Sequence, residues 1–199
     1  MRYLNQLQYP DMPYITRTDP DNPRHEQGKK TTIRSSGCGL CSAIMVADRL
    51  LPSYEFELED AVELSYSVGA NHAAGTSYKL FAPAFAEKLG LRLETSNNPE
   101  DLLRCLRTGG AAVVLVAGDS EGRVGLFTHG GHYMAVINEE PDGRLAILDP
   151  SYKPDKYDEE GRRDADVEII YDVITLCSCE TLHAETIGKA TPYYLFWRA

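Results

Sequence analysis

The sequence of 199 residues has no apolar run near the roughly 20 residues that a membrane-crossing helix needs. Its opening stretch, MRYLNQLQYPDMPY, lacks the apolar core of about 7–15 residues that a secretory signal carries. Positive charge is scarce as well. The 20 Lys and Arg against 30 Asp and Glu give a formal net charge of −10. A surface of that sign repels phosphate backbones, which argues against a nucleic-acid partner. Cysteines are few and odd in number: Cys38, Cys41, Cys105, Cys177 and Cys179. Their spacing makes no disulfide framework, so reduced thiols in a cytoplasmic compartment are expected. There is no internal repeat and no low-complexity tract. What remains is ordinary for a globular chain, 43% hydrophobic and 25% charged. The length suits a single domain over residues 1–199.

Residues 1–34 are rich in Pro, Asp, Asn, Tyr and Gln and read as an extended arm, with turns at Pro10–Asp11 and Asp19–Pro20. Gln6 and Gln8 lie inside it and, by spacing alone, read as surface residues. Helical periodicity follows over residues 38–51, 57–68, 78–89 and 99–108, the last opened by Asn98–Pro99. A short strand is expected at 91–94. The texture then changes: AAVVLVA at 111–117 reads as a buried strand and HYMAVIN at 132–138 as a second. The turn Glu140-Pro-Asp-Gly143 joins the latter to a third strand at 144–148. Residues 153–168, of mixed charge, read as a long mobile surface loop outside any catalytic role. YYLFWR at 193–198 closes the chain as a strand. Helices first and strands second indicate an α+β domain with an antiparallel sheet.

The stretch SSGCGLCSAIMVA delivers Cys38 to the first turn of a buried helix. A helix N-terminus carries about half a positive charge, which stabilises a thiolate and raises its reactivity at neutral pH. The flanking Gly37 and Gly39 are expected to leave room for a substrate. A cysteine nucleophile needs a base, and the base needs an orienting acceptor. His132 opens one hairpin strand and Asp149 closes the other, so both fall at the same end of the sheet, where opposed residues are about 5 Å apart. The order Cys, His, Asp along a helix-then-sheet chain is the papain-like plan. Each residue also has a bland reading: an inert core thiol, a strand-edge histidine, a turn aspartate. Cys38-x-x-Cys41 matches a dithiol redox motif, but a Pro-rich arm stands where a thioredoxin-like chain has a strand. Cys177, Cys179 and His183 sketch a metal site without a second pair at zinc spacing, and His129 and His132 lack a carboxylate ligand nearby in sequence. Cys105, among leucines, is expected to be buried, and Cys177 and Cys179 to titrate as ordinary thiols.

Four blocks together, NQLQYPDMPY, SSGCGLCSAIMVADRL, GTSYKLFAPAFAEKLGL and GGHYMAVINEEPDGRLAILDPS, resemble the peptidase C39-like family. These are cysteine peptidases of papain-like fold, related to the double-glycine leader peptidases of bacteriocin exporters. The resemblance spans residues 3–151. It implies Cys38 as nucleophile, His132 as base, Asp149 as the residue that orients it, and Gln6 as the oxyanion donor. It also implies hydrolysis of a peptide bond in a peptide or protein substrate through a thioester acyl-enzyme, with no cofactor and no metal. Leu40–Cys41 stand where the family often has Pro–Thr, and Gln8 where it often has Asp; neither change removes a catalytic group. Two alternatives stay open: acyl transfer to an amine, and an inactive peptide-binding module of the same fold.

Overall fold

The computed structural model describes residues 1–17, 31–72 and 74–199; the turn expected at Asp19–Pro20 lies outside them. A 3-10 turn, Gln6–Gln8, precedes α1 (Ile33–Ser36), α2 (Cys38–Leu50) and α3 (Leu58–Ser67). A small hairpin of β1 (Asn71–His72) and β2 (Gly75–Thr76) leads to α4 (Tyr78–Leu89). Then come β3 (Leu91–Ser96), α5 (Pro99–Arg107), β4 (Ala111–Val116), β5 (His132–Glu139) and β6 (Leu145–Leu148). The chain ends with β7 (Glu168–Ile170), β8 (Ile174–Cys177), α6 (Cys179–Ala184) and β9 (Tyr193–Arg198). Seven strands form one sheet in the order β3-β9-β4-β5-β6-β8-β7, every neighbouring pair antiparallel. The architecture is the expected α+β, with helices against a large antiparallel sheet.

Both faces of the sheet are covered, which explains the unbroken apolar runs. Ala111, Val113, Ala135 and Ile137 point to the side of α2, α3 and α4. Ala112, Val114, Met134 and Val136 point to the other side, among Leu102, Leu182 and Trp197. With apolar packing on each side, alternation of polar and apolar residues disappears. α2 is apolar nearly all round for the same reason, since α3 and α4 flank it while β4 and β5 lie beneath. Its one buried charge, Asp48, is gripped by Arg2, whose backbone N–H and Nε both donate to Oδ2 at 2.9 Å. The arm is therefore built into the core, with Leu4, Tyr14 and Ile33 buried.

Two expectations are corrected here. Residues 153–168 are not a detached surface loop. Arg162 donates to the Leu126 carbonyl (2.7 Å), Arg163 and Arg123 both pair with the buried Glu185, and Tyr157 packs edge-on to Phe127 at 6.4 Å. The two glycines of the cysteine stretch also serve another purpose. A Cβ on Gly39 would lie 2.8 Å from the Tyr78 ring and 3.1 Å from Thr76, and one on Gly37 would lie 2.7 Å from Ile33. They admit the protein's own packing rather than a substrate. The Tyr78 hydroxyl donates to the Gly39 carbonyl, and its ring stacks on Tyr133 at 4.3 Å, which locks α2 to β5. Gly39→Ala should therefore lower stability by about 1–3 kcal/mol in chemical denaturation. Gly130→Ala, which meets nothing within 4 Å, should stay within about 0.5 kcal/mol of the parent. Equal midpoints for the two variants would remove the packing argument.

Candidate active site

Cys38 is the first residue of α2, at the end where N–H groups lack helical partners. The Ser42 hydroxyl, one turn on, donates to the Tyr133 carbonyl at 3.1 Å and holds this end of α2 against the start of β5. His132 is the first residue of β5 and faces the Cys38 thiol, close enough for each to shift the other's protonation. Its Nε2 lies 2.8 Å from Asp149 Oδ1, which leaves Nδ1 for the sulfur. The three expected residues therefore converge, in the expected order.

The hairpin register refines how they meet. β5 and β6 pair Ala135 with Leu148. Continued by three residues, that register sets Ser151, not Asp149, opposite His132. Asp149 is the diagonal neighbour on the same face, still within reach of a long side chain. An Asx turn brings its carboxylate round: Ser151 N–H donates to Oδ1 at 2.8 Å, and the Ser151 hydroxyl donates to the same oxygen at 3.0 Å. That hydroxyl also lies 3.1 Å from His132 Nε2. The remaining oxygen, Oδ2, accepts from Lys156 Nζ, which donates to the Ser151 hydroxyl as well (2.8 Å). Asp149 is fully buried, and His132 and Lys156 nearly so. Ser151 and Lys156 were not singled out by sequence. A serine after Asp-Pro and a lysine in a charged stretch carry no distinguishing signal.

The electrostatics follow from this geometry. Burial alone raises the Cys38 thiol, but His132, by hydrogen bond and charge, and the backbone N–H groups of Tyr133 and Gly39 outweigh it and hold the thiol below its ordinary value. Burial lowers His132, yet the charge and hydrogen bond of Asp149, helped by Cys38, raise it to about 9. Burial raises Asp149; Lys156 and His132 overcome it and hold the carboxylate well below its usual range. Each partner thus favours the charged form of the other, the thiolate beside the imidazolium. The other thiols behave oppositely. Burial pushes Cys41 up strongly, lifts Cys105 and Cys177 to about 12, and raises Cys179 too. Cys177 and Cys179 are therefore not the ordinary tail thiols expected of them, because β8 and α6 bury the first and half-bury the second.

Gln6 sits in the 3-10 turn of the arm, threaded between the two halves of the site. Its backbone N–H donates to the Pro150 carbonyl (2.7 Å), and its side-chain Nε2 donates to the Arg34 carbonyl (2.8 Å). Its Oε1 is buried with no partner among the described residues. Gln8, its rival, is an exposed end of the same turn. A cleft of about 280 Å³ opens beside Cys38, lined by Gly75, Tyr78, Leu115, Gly131, Lys189 and others. A second, of about 320 Å³, is lined by Leu7, Ser151, Lys156 and Glu159 among others. His129 is taken up outside the site by Asp119 (2.9 Å) and Glu159 (2.8 Å), and His183 by the Tyr193 hydroxyl (2.7 Å).

The fold, a large antiparallel sheet with helices against it, is similar to that of solved C39 peptidase domains. The chain is similar in structure to the peptidase domain of Streptococcus ComA, a bifunctional ABC transporter involved in quorum sensing. The TM-score is 0.51 at 16% identity, over 94% of this chain and 98% of that one. It is also similar to a Bacillus anthracis protein assigned as a C39-like peptidase, with a TM-score of 0.55 at 11% identity, over 82% and 89% of the two chains. No known family profile and no curated protein sequence matches the chain. No helix among the described residues is long and apolar enough to cross a membrane.

The thiol contrast gives a direct measurement. Limited iodoacetamide at pH 6 should label Cys38 at least about tenfold faster than any other cysteine, because thiolate fraction outweighs the lower intrinsic nucleophilicity of a low-pKa thiol. His132→Ala should remove that advantage. Peptide mapping that finds Cys179 labelled as fast as Cys38 would show the thiol to be unactivated.

Proposed function

We propose that this protein is a cysteine peptidase acting on a peptide or protein substrate, with Cys38, His132, Asp149 and Gln6 as its catalytic machinery. The observation that carries this reading is the placement of Cys38, at the start of α2, against His132, whose Nε2 is hydrogen-bonded to the buried Asp149. Such an arrangement generates a nucleophile, stores its proton and orients the carrier. The Cys38 thiolate attacks the substrate carbonyl, and the C–S bond forms as the carbonyl π pair moves to oxygen. Backbone N–H groups at the head of α2 and the Gln6 amide are the donors for that oxyanion. The C–N bond then breaks, and His132 gives its Nδ1 proton to the departing amine. The thioester is hydrolysed by a water whose proton goes to His132, releasing the acid and regenerating the ion pair. Each step conserves protons, and no cofactor enters.

Support for Gln6 comes from its amide geometry. The Arg34 carbonyl fixes which end is nitrogen and uses one of its two hydrogens, so the second remains available to an incoming oxyanion. In this reading residues 1–199 act as one catalytic domain, to which the arm contributes Gln6. A net charge of −10 suits a protein rather than a nucleic-acid substrate.

The test is proteome-wide cleavage profiling with the wild type against Cys38→Ala. New N-termini should appear with the wild type alone. On any substrate so found, Gln6→Ala should slow turnover by about 100- to 1000-fold while the fold persists. A profile in which Cys38→Ala gives the same termini as the wild type would reject the peptidase reading. An unchanged rate for Gln6→Ala would return that residue to a structural role. Appearance of aminolysis products over hydrolysis in added amine would redirect the reading to acyl transfer.

A further inference from the structure

A second cation in the site is unusual because Asp149 already has one partner. Lys156 comes from the loop of residues 153–168. It is 6% exposed, and Asp149 is 0% exposed. Its Nζ donates to Asp149 Oδ2 and to the Ser151 hydroxyl at 2.8 Å. The same hydroxyl stands 3.1 Å from His132 Nε2, so the ammonium is one hydroxyl away from the imidazole. Oδ1 meanwhile takes the His132 contact at 2.8 Å. The two carboxylate oxygens are thus divided between two cations, and all four groups are interlocked. The chain is fastened on both sides of this contact, by Tyr152 in the core before it and by Tyr157, Arg162 and Arg163 after it, the last two at Leu126 and Glu185. Burying a lysine at such a point requires that compensation.

We propose that Lys156 is a positioning residue: it keeps Asp149 a carboxylate throughout the catalytic cycle and limits how tightly that carboxylate grips the His132 proton. This rests on the peptidase reading for its cycle, but its test does not. A carboxylate paired only with His132 would be a buried uncompensated charge whenever the imidazole is neutral. Lys156 supplies the counter-charge in that state. In the protonated state it withdraws part of the carboxylate's field, so the imidazolium can still release its proton to a leaving amine.

The other titratable groups that face the cluster do not duplicate this role. Cys38 faces His132 from α2. Tyr3, from the arm, donates its hydroxyl to the Asp149 carbonyl at 2.7 Å, and Tyr157 lies beside the carboxylate; burial keeps both phenols neutral. In the outer cleft Lys153, His129, Glu159 and Arg162 share the rim with Lys156, the last three bonded to one another.

The experiment is a titration of the histidine Cε1 resonances in the whole protein, with His132 assigned by its loss in His132→Ala. The wild-type midpoint for His132 should be near 9. Removing the cation leaves the full carboxylate field on the ring, which favours the charged form, so the midpoint rises. Lys156→Met and Lys156→Gln should each move it up by about one pH unit or more, while Lys156→Arg should hold it near the wild type. An unchanged or lowered midpoint in a folded neutral variant overturns the proposal, since a purely structural lysine would alter stability and not this titration. Should neither neutral variant fold, reductive methylation of the wild type decides. Lys156 should react at least about tenfold more slowly than exposed Lys153, and equal rates would overturn the buried clamp. Slow alkylation of Cys38, by contrast, would sink the peptidase reading and leave the His132 titration intact.

Discussion

The structure depends on keeping one carboxylate charged in a place without water. Asp149 is buried, and a lone ion there would cost several kcal/mol or would simply take up a proton. Every element near it contributes to the compensation. β5 supplies the imidazole, the Asp-Pro-Ser turn supplies an N–H and a hydroxyl, and the loop of residues 153–168 supplies an ammonium. The arm closes the neighbourhood through Tyr3 on the Asp149 carbonyl and Gln6 on the Pro150 carbonyl. Segments more than a hundred residues apart in sequence are thereby brought together by the needs of a single side chain.

That convergence also fixes where the thiol sits. His132 cannot move without losing Asp149, and Tyr133, its neighbour, accepts from Ser42 and stacks on Tyr78. Tyr78 in turn bonds Gly39, the residue after the thiol. The Cys38 position is therefore set from two directions, by the helix through Gly39 and Ser42 and by the strand through His132. Preorganisation of this kind lets a weak individual contact have a large effect on reactivity, because little reorganisation remains for the reaction itself.

How much of this was legible in the sequence varies with the residue. Cys38, His132 and Asp149 stand at element ends marked by Gly37, Gly130–Gly131 and Pro150, and their order matched a known plan. α2 through α5 and β3 through β6 announced themselves by periodicity or by uninterrupted apolar runs. Gln6 was not separable from Gln8 by spacing and came from resemblance alone; its burial arises from the arm's grip on Pro150 and Arg34. β7 and β8 gave no signal. Their turn is Tyr171–Asp172, two non-glycine residues at positive φ (48° and 64°), where a hairpin usually advertises Gly or Asn. Glycines 37 and 39 were visible, but their purpose was not, because close approach by the chain itself looks the same in sequence as room left for a ligand.

Lys156 was the least legible, since a lysine among Asp, Glu and Pro looks solvated until the anchors of its loop are known, and its presence changes the charge arithmetic of the site. With Cys38 as thiol and His132 neutral, the cluster holds one carboxylate and one ammonium, and the sum is zero. With thiolate and imidazolium, it holds two anions and two cations, and the sum is zero again. A Cys-His-Asp set without the lysine carries a net negative charge in both forms. In the proposed mechanism, proton transfer between sulfur and imidazole would then take place inside a cluster that is neutral before and after, so the surrounding apolar core would not have to accommodate a net ion. The stability of the reactive pair then depends on the placement of charges within the cluster, which the turn at Ser151 and the anchored loop determine, and less on screening by solvent or salt.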